Sequence, residues 1–356
     1  MAIRRLVFLA SAIAAMLSVA PGFAQQALPR TLNGHPDLSG MWWTRGLTPM
    51  ERLPGATQLA ASDDEARTLA AAVYARLRSP EFRVQIDPDT LNADVTTLNR
   101  VNGQWRTSMI IDPPDGRLPF TPRGRQMIAD ASRWKVIAEG FGGDGPEGRA
   151  VFERCLAGSG RSPMVTVPAN NIREIVQTPR DVVIYSEEGG DLRILGLDTA
   201  HVAPLGASWW GDTTAHWDGD VLVAETTHLR EQMVVGPTNN FLVGPGTHVT
   251  ERFRLVSRDE IDYQFTIDDA LIYTTPWTAE YNLNRTNGGA REYGCHEGNY
   301  SLPGILRAAR AADARAAALQ PVAAGTSGSA EPNRPQQTRR ATAHQAPHQA
   351  PHQAPH

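Results

Sequence analysis

The clearest strand pattern of the chain is Thr247-His248-Val249-Thr250-Glu251-Arg252-Phe253-Arg254-Leu255-Val256. Its side chains alternate between two faces, as in a β-strand, so that Val249, Phe253 and Leu255 share one face with Glu251. Similar short runs, with turn residues between them, cover residues 164–167, 173–177, 182–185, 192–197, 207–210, 221–226, 261–267 and 278–283. This spacing predicts a mainly β fold, an antiparallel meander that closes into a barrel with a few covering helices.

Outside these strands the sequence divides into three parts. Residues 1–24 have the features of a signal peptide, because Arg4 and Arg5 precede an apolar run from Leu6 to Val19, and the small residue Ala24 suits cleavage. Residues 25–320 form a predicted single mainly β domain with a mixed helical N-terminal third, in which Ser62 and Glu65 make a helix-capping box. Residues 321–356 are a predicted disordered low-complexity tail. We therefore expect a periplasmic or secreted protein with no membrane contact after cleavage.

The tail ends in a repeat of His, Gln, Ala and Pro with a period of four. The repeat places histidines at His344, His348, His352 and His356. Such spacing suits weak binding of a divalent metal ion, and a tail of no fixed role explains the composition equally well. The sequence predicts no other metal site and no cofactor.

Charge and missing motifs exclude several classes of function. Removal of Arg4 and Arg5 lowers the 34 basic residues to 32 against 38 acidic residues. This negative balance argues against a nucleic-acid partner. Lys135 is the only lysine, which argues against Schiff-base chemistry. The chain contains no P-loop, no dinucleotide-binding glycine motif and no H-E-x-x-H zinc motif.

Glu251 is the first candidate for chemistry. A carboxylate on an apolar strand face either finds an ionic partner or retains its proton, in which case its pKa rises. A raised pKa suits a general acid or base near neutral pH. The alternative is an internal ion pair with an arginine.

A second cluster, Cys295-His296-Glu297, follows the last strand. His296 is the predicted partner of Glu251, while Glu297 points away from its neighbour. Two alternatives remain for Cys295: a disulfide with Cys155, which suits an exported protein, or a reactive thiol beside His296.

Three further residues are weaker catalytic candidates. Glu225 shares a face with Val221 and Val223, so it enters the lumen if that face is the inner one. Asp212 and His216 have the residue types of an orienting carboxylate and its imidazole. The predicted substrate-binding residues are aromatic: Trp209, Trp210, Trp277 and Tyr263.

Several motifs occur in a fixed order between residues 32 and 310. They are Asn33-Gly34-His35-Pro36-Asp37-Leu38-Ser39-Gly40-Met41-Trp42, Glu153-Arg154-Cys155-Leu156, Gly211-Asp212, His216-Trp217-Asp218-Gly219-Asp220-Val221-Leu222-Val223, Glu251-Arg252-Phe253, Thr275-Pro276-Trp277-Thr278 and Cys295-His296-Glu297-Gly298-Asn299. The series resembles a large family of secreted bacterial proteins known mainly from hypothetical members. The resemblance implies one co-folded unit and supports pairing of the two cysteines. The strand pattern is also similar to calycin-like barrels.

These observations predict a cofactor-independent enzyme with carboxylate and imidazole acid–base chemistry. The expected reaction is that of a lyase, isomerase or hydrolase, and the expected substrate is an aromatic or saccharide-like small molecule in a barrel pocket. The alternative is a non-catalytic periplasmic binding protein for the same ligands. An unpaired Glu251 facing His296 favours the enzyme, whereas ion-paired carboxylates favour the binding protein. The oligomeric state is left open by the sequence.

Overall fold

The computed structural model describes residues 27–77, 96–131, 145–167, 171–202, 206–235 and 240–319. The predicted signal peptide and the predicted disordered tail therefore lie outside the described residues. Within the described ranges the chain divides into two units between Ala312 and Asp313. No helix within the described ranges is long and apolar enough to cross a membrane.

The described residues are mainly β. The strands are β1 (Gly40–Trp43), β2 (Ala60–Ala61), β3 (Arg100–Val101), β4 (Gln104–Arg106), β5 (Ile110–Asp112), β6 (Arg173–Gln177), β7 (Asp181–Ser186), β8 (Asp191–Leu197), β9 (Asp212–Asp218), β10 (Val221–Thr227), β11 (Gln232–Val235), β12 (Asn240–Val243), β13 (His248–Ser257), β14 (Glu260–Asp268) and β15 (Trp277–Arg285). The helices are α1 (Asp63–Leu77), α2 (Pro122–Ala131), α3 (Cys295–Gly298) and α4 (Ser301–Leu319), with single 3-10 turns at Pro146–Gly148 and Glu188–Gly190.

The predicted barrel is confirmed. Nine strands follow one another in the order β1-β6-β7-β8-β9-β10-β13-β14-β15, and β15 pairs back to β1 through Trp42 opposite Arg285. The ladder is antiparallel except at β8 and β9, which run parallel for a short stretch that includes Gly196 opposite Thr214. Because β8 and β9 run parallel, both strands begin at the same end of the barrel, whereas a tight turn between them would have made a hairpin.

The strand pairings define two ends of the barrel. The hairpin end carries the short turns between β6 and β7, between β9 and β10 and between β13 and β14. In the second of these turns Gly219 has a φ of 58°, a left-handed conformation that glycine adopts without a steric penalty. The opposite end, which we term the plug end, carries the β7–β8 connection and the first residues of β9 and β13.

Aromatic side chains fill the interior of the barrel. The alternation predicted for residues 247–256 is confirmed, since Val249, Glu251, Phe253 and Leu255 are all buried. The rings of Phe253 and Tyr263 lie 5.0 Å apart between centroids. Further buried aromatic residues complete this packing: Trp42, Phe241, Phe265, Trp277 and Tyr281. Such packing makes the described lumen a hydrophobic core, which contributes about 25 cal/mol per Å² of buried apolar surface to stability.

Of the local predictions, the helix cap is confirmed and two strands are wrong. The capping box is confirmed, because the backbone N–H of Ser62 donates to Glu65 at 3.0 Å before α1. Residues 164–167 form no strand, and at 207–210 the pairing is reduced to a single bridge at Ser208. Strands β11 and β12 form a separate hairpin that the sequence pattern missed.

Candidate functional site

A buried segment without regular structure enters the plug end. Residues 157–166, which we term the plug, are all buried and belong to no helix or strand. Gly160 fits there because a Cβ atom would lie 2.4 Å from the Ser186 hydroxyl oxygen. The Tyr263 hydroxyl accepts from the Met164 N–H at 2.9 Å, and the Tyr281 hydroxyl donates to the Met164 carbonyl at 3.2 Å. Barrel tyrosines therefore take the place of a strand partner for the plug backbone.

Glu251 is held by four hydrogen bonds and is 0 % exposed. Arg193 donates from both terminal nitrogens, at 3.0 Å and 2.5 Å. The Tyr263 hydroxyl donates at 2.6 Å, and the Ser162 hydroxyl of the plug donates at 2.8 Å. A carboxylate has about four acceptor positions, so these donors occupy all of them.

These contacts decide the charge of Glu251. Burial by itself would raise the pKa of this carboxyl, but the charge and hydrogen bonds of Arg193, with those of Tyr263 and Ser162, hold the pKa below its usual value. The predicted rise in pKa is therefore wrong. The alternative, an internal ion pair with an arginine, describes the residue correctly.

Asp191 forms a second link between the barrel and the plug. Its carboxylate accepts from the backbone N–H groups of Gly158 and Gly160, each at 2.9 Å at the shortest. Arg161 donates in turn to the Gly158 carbonyl at 2.6 Å. Burial raises the pKa of Asp191 against these stabilising contacts. Asp191, Arg193 and Arg161 were missed by the sequence analysis, because nothing local marks their pairing with distant groups.

The two cysteines form a disulfide, with Cα atoms 5.8 Å apart. This confirms the first alternative for Cys295. His296 lies in the short helix α3 and is exposed, whereas Glu251 is sealed inside the barrel. The three residues that hydrogen-bond Glu251 do not include His296, so the structure does not bring the two main candidates together.

A small cavity of about 10 Å³, or about 250 Å³ when the open solvent at its mouth is included, lies beside this disulfide. It is lined by Phe152, Cys155, Ala157, Gly158, Glu188, Gly189, Tyr293 and Cys295. Burial raises the pKa of Glu188, and burial also raises the pKa of Tyr293. The sequence analysis missed Glu188, because it lies beside two glycines in the connection between β7 and β8, where a turn residue is expected.

The weaker catalytic candidates lie on the outer face of the barrel. The inward residues of β10 are Leu222, Ala224 and Thr226, so Glu225 points outward with 40 % of its side chain exposed, 3.9 Å from His248. The predicted entry of Glu225 into the lumen is wrong, because both faces of β10 are partly apolar and the barrel register selects the other one. His216 is exposed on β9.

Asp212 pairs with a different histidine from the predicted one, and the predicted ligand-binding aromatic residues divide between the core and the plug end. Asp212 contacts the Nδ1 atom of His201 at 3.0 Å, so its imidazole partner is His201 and the predicted pair with His216 is wrong. Trp277 and Tyr263 are fully buried in the core. Trp209 and Trp210 are partly exposed at the plug end.

An open cleft lies at the hairpin end, where β1 and β15 close the barrel. It holds about 970 Å³ including the solvent at its mouth, and is lined by Pro29, Asp37, Ser39, Arg258, Asp259 and Arg285. Arg285 covers the ring of Trp42 at 4.3 Å and donates to the Arg258 carbonyl at 2.6 Å. Asp37 accepts from the Ser39 N–H at 3.0 Å. Two guanidinium groups and two carboxylates thus line one solvent-filled cleft.

The described part of the chain contains no group of three histidine, cysteine, aspartate or glutamate side chains able to hold a metal ion. The four tail histidines lie outside the described residues. No protein-family model, curated protein or solved structure matches the chain. The resemblance to secreted bacterial proteins stays a prediction.

Proposed function

We propose that this chain is an exported, non-catalytic binding protein for a saccharide-like small molecule, and that the cleft at the hairpin end is its binding site. The observation that carries the proposal is the closed set of contacts around Glu251. A carboxylate with four donors and a lowered pKa has no free lone pair with which to act as a base. Ion pairing of this carboxylate is the arrangement expected of the binding protein.

The chemistry of the cleft supports a neutral, hydroxyl-rich ligand. Its two arginines and two aspartates carry no net formal charge together, and they offer planar groups that can donate to or accept from neighbouring hydroxyls. Arg258 is exposed at the β13–β14 turn, and its guanidinium has no carboxylate partner within the described ranges. The Cys155–Cys295 disulfide suits the oxidising compartment that an exported protein enters.

The proposal is tested by calorimetric titration of the mature chain, residues 25–356, with glucose, cellobiose and maltotriose. Asp37→Ala and Arg258→Ala should each weaken binding at least about tenfold, which is the loss of one good hydrogen bond to a charged group. Asp115→Ala is a matched control, because Asp115 accepts from the backbone N–H two residues on, as Asp37 does. Arg123→Ala, at an exposed arginine of α2, is the second control. Absence of binding, or equal losses in the controls, would contradict the proposal.

One observation favours a second candidate, acid–base catalysis at the plug end. Glu188, a carboxyl with a raised pKa, and Tyr293 line the same cavity, and His296 lies in the adjoining helix α3. Turnover of an aromatic or saccharide-like substrate by the mature chain, lost in Glu188→Gln and retained in Glu187→Gln, would support this enzyme. Equal turnover in both variants would exclude Glu188 from the reaction.

A further inference from the structure

Two arginines contact one indole ring at the plug end. The Cζ atom of Arg230 lies 5.0 Å from the centroid of Trp209, and the Cζ atom of Arg154 lies 5.8 Å from it. The sum of these distances limits the separation of the two Cζ atoms to about 11 Å. We term Arg154, Trp209 and Arg230 the arginine–tryptophan platform.

Backbone contacts fix one side of the platform. The Ser208 N–H donates to the His228 carbonyl at 3.0 Å, and the Arg230 N–H donates back to the Ser208 carbonyl at 2.8 Å. Gln232 donates from Nε2 to the Trp209 carbonyl at 2.9 Å. Arg230 and Trp209 are thus held beside each other by main-chain bonds, although the Arg230 side chain itself is exposed.

The disulfide fixes the other side. Arg154 directly precedes Cys155, which is bonded to Cys295. The preceding carbonyl, that of Glu153, accepts from Asn299 Nδ2 at 2.6 Å. Two separate segments therefore bring their arginines to one ring before any ligand binds, which lowers the entropic cost of binding.

The platform carries positive charge without a compensating carboxylate. Neither Arg154 nor Arg230 has an acidic partner within 4 Å in the part of the chain that the structure describes. The adjacent carboxylate of Glu153 is taken by Arg149 at 2.8 Å. A guanidinium that contacts an aromatic ring still presents its N–H edge to a planar or tetrahedral oxyanion.

We propose that the arginine–tryptophan platform is a second ligand site, which binds a small molecule carrying sulfate, phosphate or carboxylate oxyanions. The site is separate from the proposed saccharide cleft. Trp209 precedes β9 and Arg230 follows β10, which places both at the plug end. Arg258 lies in a turn at the hairpin end. Oxyanion binding therefore stands or falls independently of saccharide binding.

The test uses calorimetric titration of the mature chain with sodium sulfate at low ionic strength, with sodium chloride at matched ionic strength as the control salt. Saturable binding of one sulfate is expected, and Arg230→Ala and Arg154→Ala should each weaken it about tenfold or more. Arg123→Ala removes an exposed arginine elsewhere and should leave the affinity unchanged.

Because Arg154 adjoins the disulfide, Arg230→Ala provides the test that is free of folding effects, with circular dichroism as a check. The proposal would be overturned if the heat of titration with sodium sulfate equalled that with sodium chloride. It would also be overturned if the double variant Arg154→Ala/Arg230→Ala bound sulfate with the wild-type affinity. Saccharide titrations of the same variants should give wild-type affinities, which separates this site from the cleft.

Discussion

Replacement of Glu251 by glutamine removes the charge of one partner in a buried ion pair and leaves Arg193 without its anion. Both side chains are nearly inaccessible, at 4 % for Arg193 and 0 % for Glu251. Loss of one partner from such a pair typically costs about 3–5 kcal/mol, since the remaining charge stays buried. At about 2–4 °C per kcal/mol, we expect the melting temperature to fall by about 6–20 °C.

Urea unfolding of the mature chain near pH 7, followed by circular dichroism, measures this loss. Glu225→Gln is the matched control, because Glu225 lies one strand away with an exposed side chain and should change stability by no more than about 0.5 kcal/mol. Addition of Arg193→Met to Glu251→Gln removes the buried unpaired cation, so the double variant should regain at least about 1 kcal/mol. A Glu251→Gln protein within about 1 kcal/mol of the wild type would refute the assignment of Glu251 as a structural anchor.

Three further predictions concern the plug and its surroundings. Gly160→Ala places a Cβ atom against Ser186 and should lower the free energy of unfolding by about 1–3 kcal/mol. Gly298 has open space around it, so Gly298→Ala should leave that free energy unchanged. Equal effects of the two substitutions would be inconsistent with a tightly inserted plug. Reduction of the Cys155–Cys295 disulfide opens a covalent loop across 140 residues and should lower the free energy of unfolding by about 2–5 kcal/mol. The reductant should have no effect on the stability of the Cys155→Ser/Cys295→Ser variant. Burial raises the pKa of Glu188 above its ordinary value of 4.5, so the wild type loses stability as the pH rises above 4.5 towards the folded-state pKa. Glu188→Gln should therefore gain stability relative to the wild type as the pH is raised from 4.5; a difference that does not depend on pH would contradict this.

The barrel could be predicted because its signal is local. Period-two alternation placed Val249, Glu251 and Phe253 on one buried face. Strand β9 was missed, because the run predicted before β10 was residues 207–210 and the strand is Asp212–Asp218. The direction of β9 relative to β8 could not be predicted, since alternation within a strand does not show in which direction the strand pairs with its neighbour.

The partners of the candidate residues could not be predicted, because they come from distant strands. Arg193 is 58 residues from Glu251 and meets it only after the barrel closes. Alternation also failed for Glu225, whose strand has apolar residues on both faces, so that register alone selects Leu222 and Ala224 for the interior. The plug was partly mistaken for a strand because Met164 and Val165 are apolar, although tyrosine hydroxyls bind the Met164 backbone.

The central claim is that a small ligand binds in the cleft at the hairpin end while the barrel interior serves as core. Hydrogen–deuterium exchange of the mature chain, with and without the tightest-binding saccharide of the panel, tests it most directly. We predict slower exchange at the backbone amides of Ser39 and Asp259, which adjoin the cleft, and unchanged exchange in the plug at residues 157–166. Protection confined to the plug and to β13 around Glu251, with none at the cleft, would contradict the account.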